Sequence, residues 1–291
     1  MQRIISFIMS IVTFIASLFG ITLPNDKYDV FKDVSYGTAD IQSMDIYVPK
    51  TAYDNEYNGC VLFIHGGSWL GGDKKEMKKD CISMAEKGYI AVTMNYTLAS
   101  EETKGKCVAD IMMNDVNKAI EKIKSFSEEK NLNITKLATS GYSAGAHIFM
   151  LFSYSRPESS AIELVFTANR VGPSSFTPEV WGGYGIAGQL AGKEITEEMI
   201  ADGRAQKIAD SVSPVHYINN DTIPSLFAYG GKDAIVKTGN AEAMKNAFEK
   251  TTVKYDYIFF PNSNHDLGAD KDKTAEYNDK LMEYCKTYFG Y

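Results

Sequence analysis

Residues 134–154 read ITKLATSGYSAGAHIFMLFSY, and the fold is decided in this stretch. Ile134 to Ser140 reads as a strand, Gly141-Tyr142-Ser143-Ala144-Gly145 is a turn signal, and the next residues begin small and become apolar, like a helix laid on a sheet. In a strand that turns sharply into a helix, glycines two before and two after a serine remove the Cβ atoms that the turn would crowd. The serine side chain is then left exposed at the C-terminal edge of the sheet. As a bare pattern GxSxG also fits an ordinary tight turn. The strand before it and the helix after it favour Ser143 as a nucleophile.

Upstream, CVLFIHGG (60–67) and YIAVTMNY (89–96) are apolar runs that read as strands buried on both faces, whereas DVFKDVSYG (29–37) and SMDIYVP (43–49) alternate like half-exposed strands. Between the two buried runs, KKEMKKDCISMAEKG (74–88) has helical spacing and ends on Gly88, a C-terminal cap. A second helix, CVADIMMNDVNKAIEKIKSFSEEKN (107–131), carries Ile111, Val116, Ile120 and Ile123 at a spacing near 3.6. Strands alternating with helices predict a mostly parallel, doubly wound α/β sheet covered on both faces. From Lys27 onward there is no internal repeat, low-complexity tract or Pro/Gly/Ser linker, so residues 26–291 read as one domain.

His65-Gly66-Gly67-Ser68-Trp69 directly follows the buried strand. Acyl transfer needs donors aimed at a developing oxyanion, and N–H groups of a glycine-rich loop can approach a substrate closely, with a second donor from the residue after the nucleophile, Ala144. His65 reads as an anchor of that loop rather than as a base. Near the end of the chain, IPSLFAYGGKDAIV (223–236) is an apolar strand closed by two glycines and followed by Asp233, and VKYDYIFFPNSNHDL (253–267) is a strand and a polar loop carrying His265. A serine hydroxyl needs a base to take its proton, and the base needs an acid to hold its tautomer. Among the four histidines, His147 lies one helical turn after Ser143 and His216 precedes a strand, so both read as structural and His265 as the base. Asp233 is preferred to Asp266 and Asp270, which are too near His265 in sequence, and to Asp221, which lies before its strand. The order Ser143, Asp233, His265, each after a strand, is that of α/β-hydrolases.

These residues resemble the α/β-hydrolase esterases with an HGG oxyanion motif, namely hormone-sensitive-lipase-like esterases and a feruloyl-esterase-like group of bacterial carbohydrate esterases. HGGSWLGGDK resembles the HGGGWxxGDK pattern of the latter group. GYSAGAH resembles its GxSAGGH elbow, and MNY, DVNKAI and SPVHYINNDTIPSLFAYGGKDAIV resemble its flanking segments. The resemblance implies catalytic roles for Ser143, Asp233 and His265 and oxyanion donors at the N–H groups of Gly67, Ser68 and Ala144. Two departures stand out: Ser68 occupies the place of a third glycine, and Thr97 that of an arginine.

Residues 172–212 are rich in aromatics and glycine and then turn helical, which predicts a short cap insertion. Trp69, Trp181 and Tyr184 are candidates to stack on an acyl group or a sugar, although aromatics in an insertion more often simply pack. The insertion is too short for a large lipase lid, which favours a small, soluble ester over long-chain lipid.

The remaining features bound the setting. Of the 291 residues, 30 are Lys or Arg and 37 are Asp or Glu, for a net charge of −7, and with no long cationic run nucleic acid is not the expected partner. Cys60, Cys81, Cys107 and Cys285 have no CxxC spacing and read as small hydrophobes rather than a zinc site or a disulfide framework. The chemistry calls for no metal or cofactor. Ile4 to Leu23 carries no charge and comes after Arg3, which makes residues 1–25 a signal peptide or a membrane anchor. The poor cleavage pattern and the length of the run favour the anchor, with a buried N-terminal helix as the bland alternative. Either export reading places the rest outside the cytoplasm, membrane-anchored or secreted. Three functions compete: a serine esterase of small or carbohydrate-linked acyl esters, an amidase, formamidase or peptidase of the same fold, and a membrane-tethered binding module without activity. The oligomeric state is open.

Overall fold

The structure is a computed structural model and describes residues 27–56 and 58–290; the segment read as signal or anchor lies outside them. Among the described residues, no helix is long and apolar enough to cross a membrane.

Eight strands form one sheet: β1 (Tyr28–Ser35), β2 (Ser43–Pro49), β3 (Asn58–Ile64), β4 (Ile90–Met94), β5 (Ile134–Tyr142), β6 (Glu163–Arg170), β7 (Ser225–Gly230) and β8 (Tyr255–Phe260). They lie in the order β1-β2-β4-β3-β5-β6-β7-β8. β2 runs antiparallel to both β1 and β4, and every pairing from β4 to β8 is parallel. This is the mostly parallel α/β sheet expected of α1 (Lys78–Ala85), α2 (Val108–Lys130) and α3 (Ala144–Ser155) placed between strands, with α8 (Gly239–Phe248) and α9 (Lys271–Phe289) after β7 and β8. Parallel strands leave both faces to be covered, and β3 divides accordingly. Its Cys60, Leu62 and Ile64 join the layer under α2 and α3, while Val61 and Phe63 join the layer under α1 and α9. Residues 172–212 hold four short helices, α4 (Pro178–Trp181), α5 (Gly185–Ala191), α6 (Glu197–Ala201) and α7 (Arg204–Ser211).

Three sequence expectations change in detail. β2 is buried from Met44 to Pro49 rather than half exposed, because it lies inside the sheet: Met44, Ile46 and Val48 face one core layer and Tyr47 the other. Ile111 is only half buried, and Met112 and Ala119 complete the stripe of Val116, Ile120 and Ile123. Cys107 precedes α2 instead of lying within it and is half buried, while Cys60, Cys81 and Cys285 are fully buried; all four are free thiols.

Asp45 shares the inner face of β2 with Tyr47, and its charge is met by Lys74, the lysine of the GGDK segment. Lys74 is 2% exposed and its ammonium donates to both Asp45 and Asp33. Burial alone would push that ammonium down. The hydrogen bonds to Asp33 and Asp45 reverse the effect and hold it above the ordinary lysine value. The Lys74 backbone N–H also donates to Asn95 Oδ1 at 2.6 Å, so the segment after the glycine loop is riveted to β2 and the end of β4. Lys74→Met is expected to cost about 3–5 kcal/mol in urea unfolding, because it leaves a buried carboxylate without its cation. At the exposed Lys75, the same change should stay within about 0.5 kcal/mol. Equal effects at the two positions would contradict this account.

Candidate active site

Ser143 stands between β5 and α3 with φ 52° and ψ −121°, a left-handed conformation rarely taken by a residue with a side chain and a sign of a turn held by its surroundings. The flanking glycines explain how the turn closes. A Cβ on Gly141 would meet the Ala146 nitrogen at 2.4 Å, and one on Gly145 would meet the carbonyl oxygens of His65 and Ile64 at 2.4 and 2.6 Å. The Ser143 N–H donates to the carbonyl of Arg170 at 3.0 Å, which ties the elbow to the end of β6.

The turns after β7 and β8 bring two side chains to it. Asp233 has a fully buried side chain; its Oδ1 accepts from the N–H groups of Ile235 and Val236 at 2.8 and 2.9 Å, and its Oδ2 lies 2.7 Å from His265 Nδ1. His265 Nε2 lies 2.9 Å from Ser143 Oγ. The three side chains singled out in the sequence thus form one chain of hydrogen bonds, aspartate to imidazole to hydroxyl. With Nδ1–H donated to the carboxylate, Nε2 is left as the acceptor facing the hydroxyl, which is the arrangement that can take a proton from Ser143.

The glycine loop lies alongside. A Cβ on Gly66 would lie 3.1 Å from both Ser143 Cβ and the Tyr142 carbonyl oxygen, tighter than an ordinary contact, so the absence of a side chain eases the close approach of the loop to the elbow. Gly67, Ser68 and Trp69 all take positive φ, at 105°, 53° and 63°, and Gly67 and Ser68 are exposed. Among the described residues, the N–H groups of Gly67, Ser68 and Ala144 have no acceptor within the protein, and so they can serve an incoming oxyanion. Ser68 thus sits in a conformation that favours glycine. His65 anchors the loop as expected: it is 1% exposed, stacks on Tyr96 at 4.6 Å, approaches the Gly66 carbonyl at 2.7 Å through Nδ1, and is kept neutral by burial, which lowers its pKa.

The aromatic candidates need correction at Trp69. The residue is 9% exposed and its ring packs against His147 and Phe176 with centroids 5.5 and 5.9 Å away, so it is part of the core and not a platform for substrate. Trp181 is half buried, stacked on Phe176 at 5.6 Å with its N–H donated to the Ser175 carbonyl. Tyr184 is also half buried and donates its hydroxyl to Gln206. His216 is exposed in a short 3-10 turn.

Several contributors escaped the sequence. The hydroxyl of Tyr142, the variable residue of the elbow, donates to the His265 carbonyl, and the Arg170 guanidinium covers the Tyr142 ring at 5.6 Å while pairing with Asp80 at 2.9 Å. Asp270 accepts from the Asn262 N–H, the Asn262 amide and the Ser263 hydroxyl at 2.7 to 2.9 Å and so shapes the loop that carries His265. Asp115, buried behind Thr97, is held by the Gln42 amide and the Thr97 N–H, both at 2.7 Å. The one signal in the sequence was a charged or amide side chain inside an otherwise apolar pattern, which marks a buried polar group but not its partner.

The order of the sheet and the placement of the three turns at its C-terminal edge put the molecule among the α/β-hydrolases. Its sequence narrows the class: the BD-FAE family model matches residues 44–248, and the chain belongs to that family. Solved structures agree on the fold. A truncated carbohydrate esterase from gut microbiota superposes with a TM-score of 0.71 at 18% identity, covering 88% of this chain and 98% of that one. Esterase B of Lactobacillus rhamnosis gives 0.68 at 14% identity over 97% and 94% of the two chains, and a thermophilic esterase of Thermogutta terrifontis gives 0.67 at 18% identity over 90% and 92%. Among curated proteins, the kynurenine formamidases of Danio rerio and Salmo salar are 30% identical over 116 residues, which is 40% of this chain and 36% of theirs. The match therefore spans about a third of the length of those relatives.

Proposed function

We propose that the protein is a serine carboxylic-ester hydrolase that cleaves small or carbohydrate-linked acyl esters through an acyl-enzyme on Ser143. The observation that carries this reading is the continuous hydrogen-bond chain from Asp233 through His265 to Ser143 Oγ. In the first half-reaction His265 Nε2 takes the Ser143 proton as Oγ attacks the ester carbonyl carbon. The carbonyl π pair moves onto oxygen, and the oxyanion accepts from the N–H groups of Gly67, Ser68 and Ala144. When the pair returns, the C–O bond to the alcohol breaks, and the alcohol leaves with the proton from Nε2. Water then repeats the sequence on the acyl-enzyme, releasing the acid and restoring Ser143. Donors of this kind contribute about 3 kcal/mol each to the transition state.

The preference for a small ester rests on residues 172–212, whose four short helices make an insertion too short for a large lipase lid. The relation to the BD-FAE family supports an acyl ester over an amide. The amide reading keeps one specific support, the stretch shared with kynurenine formamidases. An extracytoplasmic site of action, membrane-anchored or secreted, rests on residues 4–23 and belongs to the same proposal.

A substrate panel tests the reading. p-Nitrophenyl acetate and butyrate, acetylated sugars and feruloyl esters are expected to be hydrolysed, with kcat/KM falling by about tenfold or more from butyrate to longer acyl chains, on the order of 1–3 kcal/mol for substituents that a small pocket rejects. Turnover of N-formylkynurenine with no turnover of any ester would replace the esterase by the formamidase.

A further inference from the structure

Two successive residues with side chains, Ser68 and Trp69, hold left-handed backbone conformations at the loop proposed to bind the oxyanion. Such conformations persist only where the surroundings fix them: the Gly67 carbonyl closes the turn by accepting from the Leu70 and Gly71 N–H groups, both at 3.0 Å, and further contacts come from distant parts of the chain. The Trp69 carbonyl accepts from the Ala99 N–H at 2.8 Å. The Trp69 indole N–H donates to His147 Nδ1 at 3.1 Å. His147 is 0% exposed and lies edge-on to Phe176 at 5.0 Å, and its Nε2 lies 2.8 Å from the Val212 carbonyl. That carbonyl can only accept, so the imidazole must carry its proton on Nε2 and present Nδ1 as an acceptor, the one form that receives the indole N–H. His147 also stands one turn along α3 from the nucleophile, and its own backbone N–H donates to the Ser143 carbonyl at 3.1 Å. One side chain thus connects the nucleophile helix, the oxyanion loop and the C-terminal end of the helical insertion.

We infer that His147 is a positioning residue: through Trp69 it holds the Ser68 N–H where the oxyanion forms, and through Val212 it makes that alignment depend on the docking of residues 172–212. The inference rests on the acyl-transfer reading of the site. It gives Trp69 and His147 of this chain a shared role, since each supplies what the other lacks, a buried donor and a buried acceptor. Burial keeps His147 in its neutral form by lowering its pKa to about 4, and the groups packed on it, Trp69, Phe176 and the Val212 carbonyl, include none that titrates in the physiological range.

The test uses the full chain with p-nitrophenyl butyrate and the variants Trp69→Phe, His147→Gln and His147→Asn. Trp69→Phe keeps an aromatic ring and removes the donor. His147→Gln reproduces the Nε2 donor without the Nδ1 acceptor, and His147→Asn restores an acceptor near the Nδ1 position. Misplacing a catalytic donor by about 1 Å costs roughly 100-fold, so Trp69→Phe and His147→Gln are expected to lower kcat by about 10- to 100-fold with KM within twofold. The double variant should be no slower than the worse single one, and His147→Asn should recover most of the loss. Affinity for a trifluoromethyl ketone, whose adduct with the serine carries the oxyanion, should fall by the same factor as kcat, a change that general loosening of the core would not produce alongside a constant KM. Losses that add in the double variant, a rise in KM that accounts for the whole effect, or unchanged ketone affinity would each overturn the inference. Failure of the acyl-transfer reading is distinguishable, because the unmodified protein would then show no Ser143-dependent turnover at all.

Discussion

Ser143→Ala is expected to reduce kcat for p-nitrophenyl butyrate by about 10⁴- to 10⁶-fold, the scale on which removal of a serine nucleophile acts when base and oxyanion donors are left in place. The residual rate should come from the Gly67, Ser68 and Ala144 donors and from binding alone. The fold should survive, because the substitution removes one hydroxyl whose only side-chain partner among the described residues is His265 Nε2 at 2.9 Å. The backbone contacts that hold the elbow, Ser143 N–H to Arg170 O and His147 N–H to Ser143 O, are retained. Loss of a single hydrogen bond of this kind changes stability by about 1 kcal/mol, so urea unfolding should place the variant close to the unmodified protein. A variant that keeps more than a tenth of the activity would remove Ser143 from the chemistry.

Asp233→Asn is expected to lower kcat at neutral pH by about 10⁴-fold with little change in fold, through the wrong imidazole tautomer. The local geometry specifies why. Asp233 Oδ1 accepts two backbone N–H groups, those of Ile235 and Val236, and an asparagine would place its carbonyl oxygen there, since its NH₂ would meet two donors. The NH₂ is then left facing His265 Nδ1, at the position where Oδ2 now accepts at 2.7 Å. An imidazole that accepts at Nδ1 carries its proton on Nε2 and cannot take one from Ser143. A kcat within tenfold of the unmodified enzyme would mean that Asp233 does not set the tautomer of His265.

The elements most legible in the sequence were those defined by local rules. The strand, glycine turn and small-residue helix start around Ser143 predicted the elbow because steric crowding at Gly141 and Gly145 is a property of the turn itself. The uninterrupted apolar run of β3 announced burial on both faces because a parallel strand needs it. The three side chains named for the candidate site form one hydrogen-bonded chain through His265 because each comes after a strand of the same parallel sheet, and parallel strands deliver their connecting turns to one edge. What escaped was whatever depends on a partner distant in sequence. β2 read as half exposed because its alternation is real, yet its second face is covered and its Asp45 is neutralised by Lys74, 29 residues away. Trp69 read as a stacking ring because nothing local reveals that His147, 78 residues later, meets its indole N–H. Tyr142 and Arg170 carry no local signal for the same reason: their side chains matter through contacts with the His265 loop and Asp80 that only the folded sheet brings together.

The central claim, a covalent acyl-enzyme on Ser143, is tested most directly by mass spectrometry of the protein after reaction with a fluorophosphonate ester. The account predicts a single adduct per chain, located by peptide mapping on the segment containing Ser143 and absent from Ser143→Ala. An adduct on another residue, or an unmodified protein that still hydrolyses p-nitrophenyl butyrate in the presence of the reagent, would contradict it.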